Sequence, residues 1–324
     1  MTGFWGEAIG LLEKNGKTTI IAPELEVGRA RDESVDCSVI TAERGTGLIS
    51  SLIGKIKKNQ VCTDCQNYSI MMALKKSVPK IKSSTEPFYN SRMIKDEKEI
   101  KIIKKASKII DEMFELCVKK IKVGQKESEL QTILMKYALE QEMFDTGYKS
   151  TLNPLIIAGG PNGALPHAQV SQRKFKKGDL VVTDLTLRYK GYVSDSTRTF
   201  ALGKIPSQAN EAYEVVKESQ RLGLKSVKPN VNCKDVDFAC RKYIEEKNYG
   251  QYFIHSTGHG IGLEVHELPT VSYRSETKLK KNMAITVEPG IYIKNKFGIR
   301  IEDSLIVKER AIIMHKFTKD LITI

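Results

Sequence analysis

The 324-residue chain predicts an α+β fold, with a larger domain over 91–324 preceded by a smaller α/β domain over 1–90. Three observations carry this expectation. Helical periodicity with recognisable caps runs from about residue 96 to 138. Beyond residue 150 the pattern changes to strands and tight turns in antiparallel order, which favours α+β over a doubly wound sheet. Between the two regimes of the chain, the pattern breaks at Pro87-Phe88-Tyr89-Asn90.

In the first ninety residues, short apolar strands alternate with helix-like stretches. Thr18-Thr19-Ile20-Ile21-Ala22 reads as a strand, with Gly16-Lys17 marking the turn before it. Gly45 to Lys57 reads as a helix. Asp96-x-x-Glu99 has the form of a capping box and opens a long helix. Ile103, Ala106, Ile110, Met113, Phe114, Cys117 and Ile121 recur at helical spacing and define its buried face, with Gly124 as the expected stop. Ser128-x-x-Gln131 is expected to cap a second helix carrying Leu130, Ile133, Leu134, Tyr137 and Ala138. Leu180–Asp184 and Val193–Thr197 flank Tyr189-Lys190-Gly191 and predict a hairpin. Two helices follow near 207–226 and 235–247, then a hairpin joining 284–293 to 299–307.

The bulk numbers bound the function. A hydrophobic content of 40% suits an ordinary globular chain, and no apolar run is long enough for a membrane span. Met1-Thr2-Gly3-Phe4-Trp5 lacks the basic region and apolar core of a secretory signal. Six cysteines (37, 62, 65, 117, 233 and 240) form no disulfide-scaffold pattern, so reduced thiols and a cytoplasmic location are expected. Cys62-x-x-Cys65 has no second pair to complete a zinc site; a redox or metal role stays open beside a structural one. The net charge of +13 is spread over lysines, with short clusters such as Lys55-Ile56-Lys57-Lys58 and Lys280-Lys281 and no interleaved aromatics. A solvated surface is expected, not a nucleic-acid interface.

The chemistry is concentrated elsewhere. His167, His255, His259 and His266 fall within one hundred residues, interleaved with Asp184, Asp195, Glu288 and Glu302, each in an apolar, strand-like run. Desolvating an unpaired carboxylate costs several kcal/mol or neutralises it, and four converging carboxylates would also repel one another. A bound cation, and here two, is the expected remedy. Strand alternation places Asp184 with Val182 and Asp195 with Val193, both facing inward, although an exposed hairpin with solvated acids fits equally. Gly258, Gly260 and Gly262 strip side chains from a backbone that must pass close to something, leaving His259 projecting between them. The GxGxG spacing excludes a dinucleotide fingerprint, and Thr270 stands where a zincin motif begun at His266-Glu267 would need its second histidine. Arg300 and Glu302 share a strand face, so Arg300 either reaches the site or forms a cross-strand ion pair with Glu302.

With these residues assembled, the chain resembles the pita-bread-fold metallopeptidase family of prolidase, aminopeptidase P, methionine aminopeptidase and creatinase. The resemblance covers Pro166-His167-Ala168, Asp184, Gly191 to Phe200, Gly258 to Glu267, Glu288-Pro289-Gly290 and Arg300-Ile301-Glu302-Asp303. The spacing of the last ligands is similar to the prolidase branch. The first ninety residues resemble the smaller domain preceding the catalytic one, in shortened form. Thr2-Gly3-Phe4 resembles a motif that lies further into the family's domain, so either the true start lies upstream or an element has been lost.

The resemblance implies that Asp184 chelates one metal, His259 and Glu288 the other, and that Asp195 and Glu302 bridge the two. It implies Mn²⁺ or Co²⁺, with Zn²⁺ possible, since oxygen-rich ligation with a single histidine suits the harder ions. A water or hydroxide between the metals is then the nucleophile. Glu288 is implied as proton shuttle, His167 and His266 as contacts to substrate or intermediate, and His255 as pocket lining. Thr197 is implied as a hydrogen-bond partner behind the ligands. The implied activity is hydrolysis of the bond between an N-terminal residue and proline in Xaa-Pro dipeptides or short proline-containing peptides, by a homodimer. Two departures bear on the substrate: Thr270 stands where many prolidases carry an arginine, and Thr186 where a glycine often follows the first aspartate. Arg300 is then a candidate for binding substrate carboxylate. The alternatives are an aminopeptidase P-like enzyme acting on longer peptides and a non-catalytic binding module.

Overall fold

The computed structural model describes residues 3–45, 47–56, 60–147 and 155–324. The chain divides into two compact units, Met1–Phe88 and Tyr89–Ile324. Thr2 of the N-terminal motif and Lys57 and Lys58 of the lysine cluster lie outside the described residues.

The first unit contains β1 (Ile9–Leu12), β2 (Thr18–Ala22), α1 (Glu24–Glu33), β3 (Ser38–Thr41), α2 (Gly47–Ile56), β4 (Val61–Thr63), α3 (Tyr68–Ser77) and β5 (Ile81–Ser83). β2 pairs antiparallel with β1 and parallel with β3, while β4 and β5 form a separate parallel pair. Ile20, Ala22, Val27 and Ala30 close one small core, and Ile56, Leu74, Val78 and Ile81 another.

After α4 (Glu86–Met93), the second unit opens with α5 (Glu97–Lys120) and α6 (Glu127–Glu140). Asp96 Oδ1 accepts from the Lys98 and Glu99 amides at 2.7 and 2.8 Å, and Glu99 Oε2 accepts from the Asp96 amide at 2.6 Å, closing the capping box. α5 ends at Lys120, before the expected Gly124. Ile121 turns to extended backbone (φ −69°, ψ 138°) and buries its side chain, leaving Gly124 (φ +86°) to the following turn. α6 likewise begins before Ser128. Glu129 Oε2 caps the Lys126 amide at 3.1 Å, whereas Ser128 Oγ accepts from Gln172 Nε2 instead.

β6 (Met143–Phe144) and β7 (Leu155–Gly159) pair with one edge of β8 (Leu180–Tyr189), and β9 (Tyr192–Ala201) with the other. Lys190 (φ 46°) and Gly191 (φ 86°) both adopt the left-handed region, as a two-residue type I′ hairpin demands. α5 packs on this sheet through a core that includes Phe114 and Phe200. α7 (Ser207–Ser226) and α8 (Cys233–Glu246) cover a second sheet, ordered β11-β10-β12-β15-β16, built from β10 (Gly258–Gly260), β11 (Glu267–Val271), β12 (Ala284–Val287), β15 (Asp303–Ile306) and β16 (Ile312–Ile313). β13 (Gly290–Ile293) and β14 (Phe297–Arg300) complete the chain order as a separate ladder.

The single hairpin expected over 284–307 is therefore two ladders in one register, Val287↔Asp303 and Gly290↔Arg300, interrupted between them. The interruption has a backbone cause. The Glu288 amide donates to Thr257 O at 2.8 Å and the Glu302 amide to Thr197 O at 3.1 Å, so both leave the ladder, and Pro289 has no N–H to give. Among the described residues, no helix is long and apolar enough to cross a membrane.

Candidate metal centre

Strand alternation sets four side chains on one face of the β8–β9 hairpin. Asp184 lies opposite Thr197, and Thr186 opposite Asp195. Thr186 Oγ1 is 2.6 Å from Asp195 Oδ1 and 3.1 Å from Asp184 Oδ1. From the interrupted hairpin come Glu302, whose Oε2 accepts from Thr197 Oγ1 at 2.7 Å, and Glu288, whose Oε1 accepts from Thr286 Oγ1 at 3.1 Å.

β10 brings the imidazole. A Cβ at Gly258 would stand 2.1 Å from Thr286 O, and one at Gly260 2.4 Å from Leu268 O, so only glycines let β10 thread between β11 and β12. A carbonyl can only accept, so His259 Nδ1 carries the proton it donates to Gly260 O at 3.1 Å. Its Nε2 then faces Glu288 Oε1 at 3.2 Å and Asp195 Oδ2 at 3.7 Å. Asp195, His259 and Glu302 each offer a ligand atom within 4.8 Å of the others.

The electrostatics are those of a site missing positive charge. Burial pushes Asp195 well above the usual carboxylate range, reinforced by the charge of Asp184. Burial likewise pushes Glu302 far up, with Asp195, Glu288 and Asp184 adding to the rise. Burial alone would lower His259, but its hydrogen bond to Glu288 and the charges of Glu288 and Asp195 lift it to about 9. Burial would raise Glu288; His259 instead brings it down to about 2. Glu302 Oε1 is buried with no hydrogen-bond partner. Four carboxylates and one imidazole, with one oxygen orphaned, fit divalent cations as the missing charge.

The remaining residues singled out in the sequence, His167, His255, His266 and Arg300, line the same cavity of about 490 Å³ with these five. His167 is exposed on the loop after β7, whose ends are pinned by Glu127 through Gly159, Asn162 and Ser171. His255 Nδ1 donates to Ser256 O at 2.8 Å, so its Nε2 accepts from the Tyr292 hydroxyl at 3.0 Å. Burial lowers His255 and raises Tyr292 to about 12, which fixes that polarity. The His266 ring lies 4.2 Å from that of His259, and burial followed by the His259 charge lowers it to about 4.

Arg300 is buried and forms no ion pair with Glu302. Its Nη2 contacts Asp184 Oδ2 at 2.5 Å, Nη1 donates to Tyr292 and to Pro166 O, and Nε donates to Thr197 Oγ1. Four of its five N–H groups are thereby committed to the protein. Glu267 is structural in its contacts: Arg92 and Lys95 clamp its carboxylate, which also accepts from the Leu263 and Glu264 amides. Thr270 pairs with His259 and lines the cavity.

Sequence reasoning missed Tyr292 and the roles of Thr186 and Thr286. A signal existed for the threonines. Asp184-x-Thr186, Asp195-x-Thr197 and Thr286-x-Glu288 all place a hydroxyl two residues from a carboxylate, hence on the same strand face.

Comparison with known proteins places these features in context. A model of metallopeptidase family M24 matches residues 101–309, and one of the creatinase/prolidase N-terminal domain matches residues 1–94. The chain is 40% identical over 299 residues to an Xaa-Pro dipeptidase of Pyrococcus horikoshii, covering 90% of this chain and 82% of the relative. Among solved structures, an Xaa-Pro dipeptidase from Bacillus anthracis superposes with a TM-score of 0.91 at 34% identity, over 100% of this chain and 91% of that one. An X-Pro aminopeptidase from Thermotoga maritima gives 0.87 at 31% identity, over 100% and 92%.

Proposed function

The chain belongs to metallopeptidase family M24, and from that premise we propose that it is an Xaa-Pro dipeptidase whose Asp184, Asp195, His259, Glu288 and Glu302 hold two divalent cations. The observation that carries this reading is the orphaned Glu302 Oε1, buried among carboxylates that the protein leaves short of positive charge. Asp184 would serve one cation, His259 and Glu288 the other, and Asp195 and Glu302 both. Oxygen-rich ligation with one imidazole favours Mn²⁺ or Co²⁺ and is compatible with Zn²⁺. When bound, such ions supply Lewis acidity toward the scissile carbonyl and acidify water at neutral pH.

The chain's own groups do the rest. Glu288 takes the proton of the water that attacks the carbonyl and delivers it to the prolyl nitrogen as the C–N bond breaks. His266, held neutral near pH 7, donates an N–H toward the oxyanion that forms on the carbonyl, and His167 contacts substrate from the exposed side of the cavity. Thr197 holds Glu302 in its rotamer through the 2.7 Å bond. The bond before proline is a tertiary amide with no N–H, so recognition through the carbonyl and the termini suits it. A cavity of about 490 Å³ is in the range that encloses small ligands. A homodimer in the cytoplasm, as the family resemblance implies, is part of this proposal, and six cysteines with no disulfide among them suit a reducing compartment.

A second reading, an X-Pro aminopeptidase acting on longer peptides, is favoured by one observation. Among the described residues lining the cavity, the only Lys or Arg is Arg300, whose N–H groups are largely committed, so a free substrate carboxylate meets little positive charge. Turnover of Ala-Pro and of Ala-Pro-Yaa peptides by enzyme loaded with Mn²⁺, Co²⁺ or Zn²⁺ separates the two. The dipeptidase reading expects Ala-Pro to be the better substrate; no cleavage of Ala-Pro with any ion would remove it.

A further inference from the structure

Thr186 is, with Thr270, one of two cavity-lining side chains that depart from the pattern of the family the chain resembles. Being two residues beyond Asp184 on β8, it points into the cavity beside that aspartate. Its Oγ1 lies 2.6 Å from Asp195 Oδ1 and 3.1 Å from Asp184 Oδ1, and a hydroxyl has one proton to give, so the shorter contact to Asp195 takes it. The other hydroxyls are differently employed: Thr197 serves Glu302, and Thr286 serves Glu288 and the His259 amide. Thr186 alone thus sits at the end of the centre formed by Asp184 and Asp195. Arg300 already fixes the far oxygen of Asp184, so with Thr186 present both aspartates have their rotation set by hydrogen bonds.

We propose that Thr186 is a positioning residue for the cation held between Asp184 and Asp195, and that it tightens that one of two metal-binding events more than the other, toward which Asp195 turns only its second oxygen, on the side of His259. A carboxylate that is already oriented loses less rotational freedom on binding an ion, which is why hydrogen-bond partners behind ligands commonly change metal affinity by about ten- to a hundred-fold. The inference rests on the two-cation reading given above.

The test is a titration of the full-length, chelator-stripped protein with Mn²⁺ alone, with free Mn²⁺ followed by electron paramagnetic resonance. The unaltered chain should bind two ions. Thr186→Val, which keeps the β-branched shape and loses the hydroxyl, should weaken one event by about ten-fold or more and the other by clearly less. Thr186→Ser should restore both. His259→Ala should weaken the opposite event, and equal unfolding temperatures for stripped Thr186→Val and unaltered chains exclude a fold defect. Thr186→Val binding both ions like the unaltered chain, binding one more tightly, or losing both equally would overturn the inference. An unaltered chain that binds no Mn²⁺ would instead overturn the metal-centre reading beneath it.

Discussion

Glu302 and Asp303 are consecutive, both fully buried, and opposite in every electrostatic respect. Alternation turns them to opposite faces of the same backbone. Asp303 Oδ1 accepts from Arg198 Nη2 at 2.8 Å, and its Oδ2 accepts from Lys319 Nζ at 2.7 Å and Gln220 Nε2 at 3.0 Å. Burial would raise its carboxyl, but the Arg198 and Lys319 charges drive it far below the usual range. Glu302 looks instead at Asp195, Glu288 and Asp184, keeps one oxygen without a donor, and is driven far above it. Burial is the same for both, so burial does not mark a metal site. What sets Glu302 apart is that no described side chain forms an ion pair with it and one of its oxygens has no donor.

The largest effect should come from Glu302, which makes no ion pair among the described residues. Glu302→Gln is expected to lose stoichiometric metal and reduce hydrolysis to background, measured by metal analysis and Xaa-Pro turnover. Glu288→Ala, which removes the proposed proton carrier, should cost about 10²–10⁴-fold in kcat. Hydrolysis retained in that variant would remove Glu288 from the role. On the other face the sign of the consequence changes. Asp303→Asn leaves the buried Arg198 and the half-buried Lys319 without their anion, and should cost about 3–5 kcal/mol of folding stability by urea titration. Glu302→Gln in stripped protein should cost none of that, because it relieves repulsion. Equal destabilisation by the two would erase the distinction drawn here.

That distinction also explains what could be read from the sequence. The helix starting at Asp96 and the hairpin turning at Lys190-Gly191 were legible because local chemistry determines them: a capping box in one case, two left-handed residues in the other. The convergence of Asp184, Asp195, Glu288 and Glu302 was legible because acids in apolar strand-like runs are costly unless compensated, and His259 stood out through the glycines on either side of it. The break in the 284–307 hairpin was not, since it depends on Thr257 O and Thr197 O, which approach Glu288 and Glu302 only in three dimensions. The end of α5 and the start of α6 were misplaced for a similar reason: Ile121 leaves its helix to reach the core, and Ser128 serves Gln172. Nor does any local pattern say that Arg300 turns to Asp184 rather than to Glu302, its neighbour on the strand face.

The smallest expected effect is in the pH dependence of stability, and it sharpens the comparison because the two neighbours act in adjoining windows. Asp303 is lowered in the folded state, so its contribution is present above the unfolded carboxyl value, near pH 4, and is lost as pH falls below it. Glu302 is raised, so in stripped protein its contribution is fully present below about pH 4 and is lost as pH rises toward the folded value. Stability differences from the unaltered chain, measured in chelator, should therefore diverge. Asp303→Asn should become progressively more harmful from strong acid up to about pH 4 and then level off. Glu302→Gln should become progressively more favourable above that point, with a slope of no more than about 1.4 kcal/mol per pH unit for one proton. Saturating Mn²⁺ should reverse only the second trend, since it stabilises the deprotonated acid that the variant lacks. A Glu302→Gln difference that stays flat with pH in chelator would mean that this carboxyl already has its compensating charge inside the protein.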